Sequence, residues 1–283
     1  MKYKKILFPI GAGDDVTPRI YGALLIAKWF KTHIDILSCQ IDPSIVYNMK
    51  MTLRGGVLFE EFLKSAKADL AEEHAKNEKS FNQMCKELGV EISDKPIDGK
   101  ASARFIIRDG KRSVVVERES KFYDLVVAAV PLSGKITGTF EAAVMKSGKD
   151  RIVIPRNLTK FDPKNVLVCW TGTPSNSRAV TSSLDILKQA SKVHCITAKA
   201  TLGENAQDSL NMLKEYFSLH GINSTYEMID TTSIPGQALL KSAKDNNADI
   251  IVTGRQGENG LREMFLGGTS KFFLEHTDIP VFM

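Results

Sequence analysis

The chain has 283 residues, 43% of them apolar and 25% charged, and a formal net charge of +5. That length suggests two domains, the composition is that of a globular protein, and no run of about 18 apolar residues offers a membrane helix. The charges are interleaved, as in Lys64-Ser65-Ala66-Lys67-Ala68-Asp69, and no basic stripe alternates with aromatics, which argues against nucleic acid as a partner.

The start, Met1-Lys2-Tyr3-Lys4-Lys5, lacks the apolar core of about 7–15 residues that a signal peptide carries, so a cytoplasmic chain is expected. Ile6 to Ile10 reads as a first strand and Gly11 to Asp15 as a turn. Thr17-Pro18 then opens a helix, with proline in the first turn. Its residues Ile20, Ala23, Leu24, Ala27 and Phe30 recur at three and four, one helical face. Ile34 to Cys39 is the second strand, Ile41 to Val57 is irregular, and Leu58 to Leu88 is helical up to a Gly89 cap.

Val90-Glu91-Ile92 begins a third strand. The stretch Phe105 to Val116 can be a hairpin turning at Asp109-Gly110, or two short helices split at Gly110. The crossover needed before the next parallel strand favours helices. That strand is Asp124 to Val130; Phe140 to Ser147 is helical, and Arg151 to Pro155 is a fifth strand.

After the polar residues 156–164 the order restarts. Val166 to Trp170 matches Ile6 to Ile10, Arg178 to Ala190 is helical, and Val193 to Thr197 is a strand. Leu210, Leu213 and Phe217 mark a helix ending at Gly221, Ile222 to Ile229 is a strand, and Pro235 to Asn246 is a helix. Asp249-Ile250-Ile251-Val252 matches Asp124-Leu125-Val126-Val127, and Ile279 to Phe282 matches Ile152 to Pro155. The chain thus reads as an internal duplication, residues 1–156 and 164–283, each a doubly wound α/β domain of five strands. Their apolar last strands are expected to pack together, as a pseudo-dimer within one chain. In such sheets ligands sit beyond the carboxyl strand ends, at the topological switch point.

The four cysteines form no C-x-x-C pair and are expected to be buried free thiols, and the five histidines have no ligand spacing. The densest signal follows Ile250-Ile251-Val252-Thr253, where glycines stand at Gly254, Gly257, Gly260, Gly267 and Gly268. Thr269-Ser270 then leads into a segment with helical apolar spacing. Strand, glycine loop and helix start make a phosphate cradle, because glycine lets main-chain N–H groups approach an anion. The plainer reading is a flexible loop and a helix cap. Gly254-Arg255-Gln256-Gly257 lacks the Gly-Lys-Ser/Thr ending of a P-loop.

Gly254-x2-Gly257-x9-Gly267, with small and hydroxyl residues after it, resembles the nucleotide-binding signature of the universal stress protein family. The ending Glu275-His276-Thr277-Asp278-Ile279-Pro280-Val281 and the opening Val166 to Trp170 also resemble that family. The resemblance is specific in the second half and architectural in the first. It implies binding of ATP or a related adenine nucleotide (AMP or ADP), often with a divalent metal such as Mg, and association through edge strands, which would allow a further homodimer. By position, Gly254, Gly257, Gly267, Gly268, Thr269 and Ser270 would hold ribose and phosphates. Trp170 and Thr171 would lie by the adenine, with Thr253 at the strand end and Arg255 near phosphate. Two departures stand out: the hydroxyl after Gly267 is displaced by Gly268, and Thr171 replaces the family's usual aspartate. In the first half, Val130 to Thr139 holds only Gly134 and Gly138 and starts at Pro131, which has no N–H, so one nucleotide site is expected per chain. No nucleophile or base is positioned, so any hydrolysis is expected to be slow and incidental. A nucleotide-free, dimerising interaction scaffold is the competing reading.

Overall fold

A computed structural model describes residues 3–11, 15–40, 57–130, 137–202, 205–230, 235–254 and 278–283. The chain divides into two units. One comprises Tyr3–Lys149 with Asn157–Thr159, and the other is made of Asp150–Arg156 and Lys160–Met283.

The first unit is built on five parallel strands: β1 (Lys5–Pro9), β2 (His33–Gln40), β3 (Glu91–Ile92), β4 (Ser102–Asp109) and β5 (Leu125–Ala129). Their spatial order is β3-β4-β2-β1-β5. Helix α1 (Thr17–Phe30) carries its proline in the first turn and ends at Lys31, whose φ of 51° lies in the left-handed region. It buries the predicted stripe and Gly22 and Ile26 as well, because its other faces are also covered. Helix α2 (Val57–Leu88) stops where Gly89 takes a φ of 65°, a conformation that costs glycine little. Phe8, Phe30 and Phe81 are fully buried and anchor this core.

The stretch from Phe105 to Val116 corrects the sequence reading. It is neither a hairpin nor two helices: its first part belongs to β4, and its second part to helix α3 (Arg112–Glu119). β4 pairs with β2 over eight residues, from His33–Ser102 to Gln40–Asp109. That long-range ladder overrides the local pattern, in which Ile106 is buried and Ile107 is exposed. Gly110, at φ 128°, makes the break between strand and helix. The segment after β5 is also less regular than a single helix. A short α4 (Gly138–Glu141), capped by Thr137, runs into one π turn, Ala142–Lys146.

The second unit contains β6 (Asp150–Ile154), β7 (Asn165–Cys169), β8 (Lys192–Ala198), β9 (Ser224–Ile229), β10 (Ile250–Thr253) and β11 (Val281–Phe282), in the order β6-β11-β10-β7-β8-β9. β6 runs antiparallel to β11, with Val153 opposite Val281 and Ile152 opposite Phe282. The last strand of the first half therefore lies in this unit; among the described residues, 1–156 carry six strands (β1 to β6) where five were expected, the added one being β4, and 164–283 carry five (β7 to β11). The helix expected from Arg178 starts earlier and is broken: α5 (Pro174–Ser182) is followed by α6 (Leu184–Gln189), with Ser183 between them. Pro174 occupies the first turn and the Thr173 side chain caps it; α1 also starts at a Thr-Pro pair, but there Thr17 is already helical and Val16 is an N-cap without a side-chain bond. After β8 come α7 (Lys199–Leu202), α8 (Ala206–Leu219) and α9 (Pro235–Asp245). Phe217 and Phe282 are fully buried in this core.

The two halves share one local device. The Asp124 carboxylate accepts hydrogen bonds from the Lys4 and Lys5 amides at 2.8 and 3.0 Å. Asp249 accepts in the same way from Lys164 and Asn165, at 3.1 and 2.8 Å. In each case the aspartate's own N–H donates to the first residue of the neighbouring strand, Lys5 or Asn165. The matched tetrapeptides of the sequence therefore do the same work, tying a central strand's start to the start of its neighbour.

Candidate functional site

In the second unit the chain leaves β7 toward β8 on one side, while β10 leads toward β11 on the other. β7 and β10 are adjacent and in register, with Cys169 beside Thr253. Their carboxyl ends form the switch point, where a doubly wound sheet opens a crevice. Trp170, Thr171, Thr253 and Gly254 are brought together there.

Asn176, on the first turn of α5 and fully buried, organises this end. Its side-chain amide donates to the Cys169 carbonyl at 2.9 Å, and its Oδ1 accepts the Thr171 amide at 2.9 Å. Its own amide donates to the Thr173 hydroxyl at 3.3 Å. The helix start is thereby bolted to the end of β7. The sequence reading missed Asn176 because it set the helix start at Arg178; the Thr173-Pro174 pair was the available signal.

Gly254 faces this residue from β10. A Cβ on Gly254 would stand 2.5 Å from both the Cα and the amide nitrogen of Asn176. Those are backbone atoms and cannot swing away, so glycine is required here by helix–strand packing. Gly172 differs: the atom a Cβ there would meet, Leu202 Cδ2 at 2.7 Å, ends a flexible side chain, and it is the left-handed φ of 68° that favours glycine.

Trp170 is half-buried. Its indole N–H donates to Ser209 Oγ at 2.8 Å, and its carbonyl accepts the Thr197 hydroxyl at 2.8 Å. The Thr171 and Thr173 hydroxyls lie 3.1 Å apart on a partly exposed ridge. Thr253 is buried at the end of β10. This set offers an aromatic body and hydroxyls for a polar ligand. The Thr171 amide is committed to Asn176, so that N–H does not reach a base. Arg255, Gly257, Gly267, Gly268, Thr269 and Ser270 lie outside the described residues, as do Pro131, Gly134 and the closing helix at Glu275-His276.

Cys39, Cys85, Cys169 and Cys195 are buried free thiols. Burial pushes Cys39 up to about 11 and Cys85 to about 12, so neither is a reactive thiolate near neutral pH. Among the described residues no group of three His, Cys, Asp or Glu side chains gathers as a metal site, and no helix is long and apolar enough to cross a membrane.

A sequence model of the Universal stress protein family matches residues 163–283. The chain is 39% identical over 49 residues to a universal stress protein of Synechocystis sp., a match covering 17% of this chain and 45% of that protein. It is 28% identical over 83 residues to a universal stress protein of Methanocaldococcus jannaschii, covering 29% and 50%. The chain thus spans half or less of the length of these curated relatives. A solved structure of a universal stress protein from Archaeoglobus fulgidus DSM 4304 superposes with a TM-score of 0.65 at 18% identity, over 98% of this chain and 94% of that one. A functionally unknown protein from Pseudomonas aeruginosa PAO1 gives 0.57 at 15% identity, over 99% and 92%. At such identities the structural likeness speaks for the fold alone. The sequence match, taken with the strand order and the crevice it builds, makes residues 163–283 of this chain a domain of the universal stress protein family.

Proposed function

We propose that this protein is a regulatory, stress-response module that binds ATP or a related adenine nucleotide at one site, in its C-terminal half. The observation that carries this reading is where β10 ends. Gly254 sits at the switch point against the start of α5, and the glycine spacing Gly254-x2-Gly257-x9-Gly267 begins there. The Trp170 ring and the Thr171 and Thr173 hydroxyls would orient base and ribose. Main-chain N–H groups of the glycine loop would hold the phosphates, with Arg255 neutralising charge and a divalent cation such as Mg carried on the phosphates themselves. We read the chain as two tandem domains, 1–156 and 164–283, the first without a glycine cradle. We read the two halves as associating in an intramolecular pseudo-dimer.

The second reading is a nucleotide-free interaction scaffold. It is favoured by the fact that packing against Asn176 accounts for Gly254 without any ligand. Mass spectrometry of the small molecules released when the purified protein is denatured separates the two. One adenine nucleotide per chain is expected. Calorimetry showing two equivalent ATP sites, or none, would replace the proposal with a two-site protein or with the scaffold.

A further inference from the structure

The first unit holds a cavity of about 220 Å³ at the carboxyl ends of β1 and β5. Pro9, Gly11, Ala128 and Ala129 form the strand-end side of its wall. Two guanidinium groups line it: Arg19 of α1, only 8% exposed, and Arg112 from the start of α3. Thr137 and Thr139 add hydroxyls, and Phe140 supplies an apolar side. Thr137 Oγ accepts the Phe140 amide at 3.2 Å, which leaves its O–H to donate. Among the described residues that line the cavity there is no carboxylate. Acidic groups stand near both arginines. Glu73 stands 3.9 Å from Arg112, and Asp15, held by Thr17, lies near Arg19.

An arginine stays charged at any accessible pH, and its planar fork matches the oxygens of a phosphoryl group. Two such charges on the wall of a partly enclosed volume attract an anion far more strongly than they would in open water. The volume falls below the roughly 300–1,000 Å³ of sites for drug-sized ligands, so a whole nucleotide does not fit this description. We infer that this cavity binds a small phosphoryl oxyanion, inorganic phosphate or the head of a compact phosphomonoester, between Arg19, Arg112 and the hydroxyls of Thr137 and Thr139. The site stands apart from the nucleotide reading of the second half and does not depend on it.

The test is calorimetric titration of the full chain with inorganic phosphate at fixed ionic strength. It is run on the wild type and on Gly268→Asp, which blocks the glycine loop of the other half. Saturable binding of one phosphate is expected in both, weakened at least tenfold in Arg112→Gln. Arg112 is partly exposed and its loss should leave the fold intact; Arg19→Gln, at a buried position, is read only with a melt that shows it folded. A parallel titration with glycerol 3-phosphate separates the two sources. Tighter binding than phosphate assigns the site to a phosphomonoester, and equal or weaker binding assigns it to the free anion. Absence of saturable binding to the wild type up to about 10 mM phosphate, a range that still detects weak sites, would overturn the inference. Undiminished affinity in Arg112→Gln, or loss of binding in Gly268→Asp, would overturn it equally.

Discussion

The two strand-end crevices occupy equivalent register positions and are built differently. Ile6 pairs with Leu125 as Val166 pairs with Ile250, so Ala129 in the first unit corresponds to Gly254 in the second. In the second unit residues 170–173 bring α5 directly onto the end of β10, and Gly254 touches Asn176. In the first, residues 10–16 separate β1 from α1, and a cavity lined by Arg19 and Arg112 remains beside Ala128 and Ala129. The lesson is that one sheet topology supplies a crevice, while the distance from strand to helix start decides what fills it. A tight turn makes a packed glycine floor from which a loop can emerge. A longer turn leaves room, and the side chains around that room set its chemistry.

The same divergence runs one strand further, and there the largest effect is expected. Asp35 on β2 is fully buried and accepts from His33 Nε2 (3.1 Å), Arg104 Nε and Nη2 (3.0 and 2.9 Å), the Tyr123 hydroxyl (2.6 Å) and Lys5 Nζ (3.0 Å). Its register equivalent on β8 is His194, which among the described residues hydrogen-bonds Thr225 and the exposed Glu227. Asp35→Ala strands the buried His33 and Tyr123 donors and leaves two half-buried cations unpaired, and should cost about 3–5 kcal/mol in a denaturant melt, whereas His194→Ala should cost under about 1 kcal/mol. Equal losses would mean that the two sheets are stabilised alike after all.

Next comes Gly268→Asp. If main-chain groups there face phosphate, a carboxylate roughly 4 Å away at an effective dielectric of about 20 costs roughly 4 kcal/mol, about a thousandfold in nucleotide affinity. Gly138→Asp in the first half should leave nucleotide affinity unchanged. Unaltered ATP binding in a folded Gly268→Asp protein would favour the scaffold.

A smaller effect is expected at the strand ends themselves. Gly254→Ala drives a Cβ into the backbone of α5 and should cost about 1–3 kcal/mol, while Ala129→Gly in the first unit should cost no more than about 1 kcal/mol. Equal thermal shifts for the pair would erase the structural distinction between the crevices.

Acid should reach the first unit through Asp35. Burial alone would raise this carboxyl, but the hydrogen bonds from His33, Arg104, Tyr123 and Lys5 outweigh it and hold it far below the usual carboxylate range. A group depressed in the folded state stabilises fully above its unfolded value and loses that contribution as pH falls through the folded one. Wild-type stability should therefore drop as pH is lowered below the ordinary carboxyl value of 3.8, and Asp35→Asn should flatten that drop. Parallel acid titrations of both proteins, followed by circular dichroism, would reveal an unchanged slope if another group is responsible.

The smallest effect tests what the halves have in common. Asp124→Ala and Asp249→Ala each remove two amide hydrogen bonds at a partly solvated strand start and should each cost about 1 kcal/mol. A marked inequality would show that the shared tetrapeptide has diverged in energy although not in geometry.

Much of this was legible in the chain alone. The strand–helix alternation, the Thr17-Pro18 start and the Gly89 and Gly221 stops are local chemistry: φ limits, missing donors and orphan amides act within a few residues. The likeness of the stretches at Asp124 and Asp249 was legible because both aspartates make the same side-chain tie. The glycine spacing after Thr253 carried the resemblance to the family. Tertiary structure decided the rest. Phe105 to Asp109 is a strand only because β2 offers it an eight-residue ladder, and Gly254 must be glycine because Asn176, distant in sequence, lies against it. Arg19 and Arg112 share a cavity although 93 positions separate their numbers (112 − 19). Sequence determines what each segment can adopt by itself, whereas contacts between distant segments depend on how turn lengths and sheet register bring those segments together.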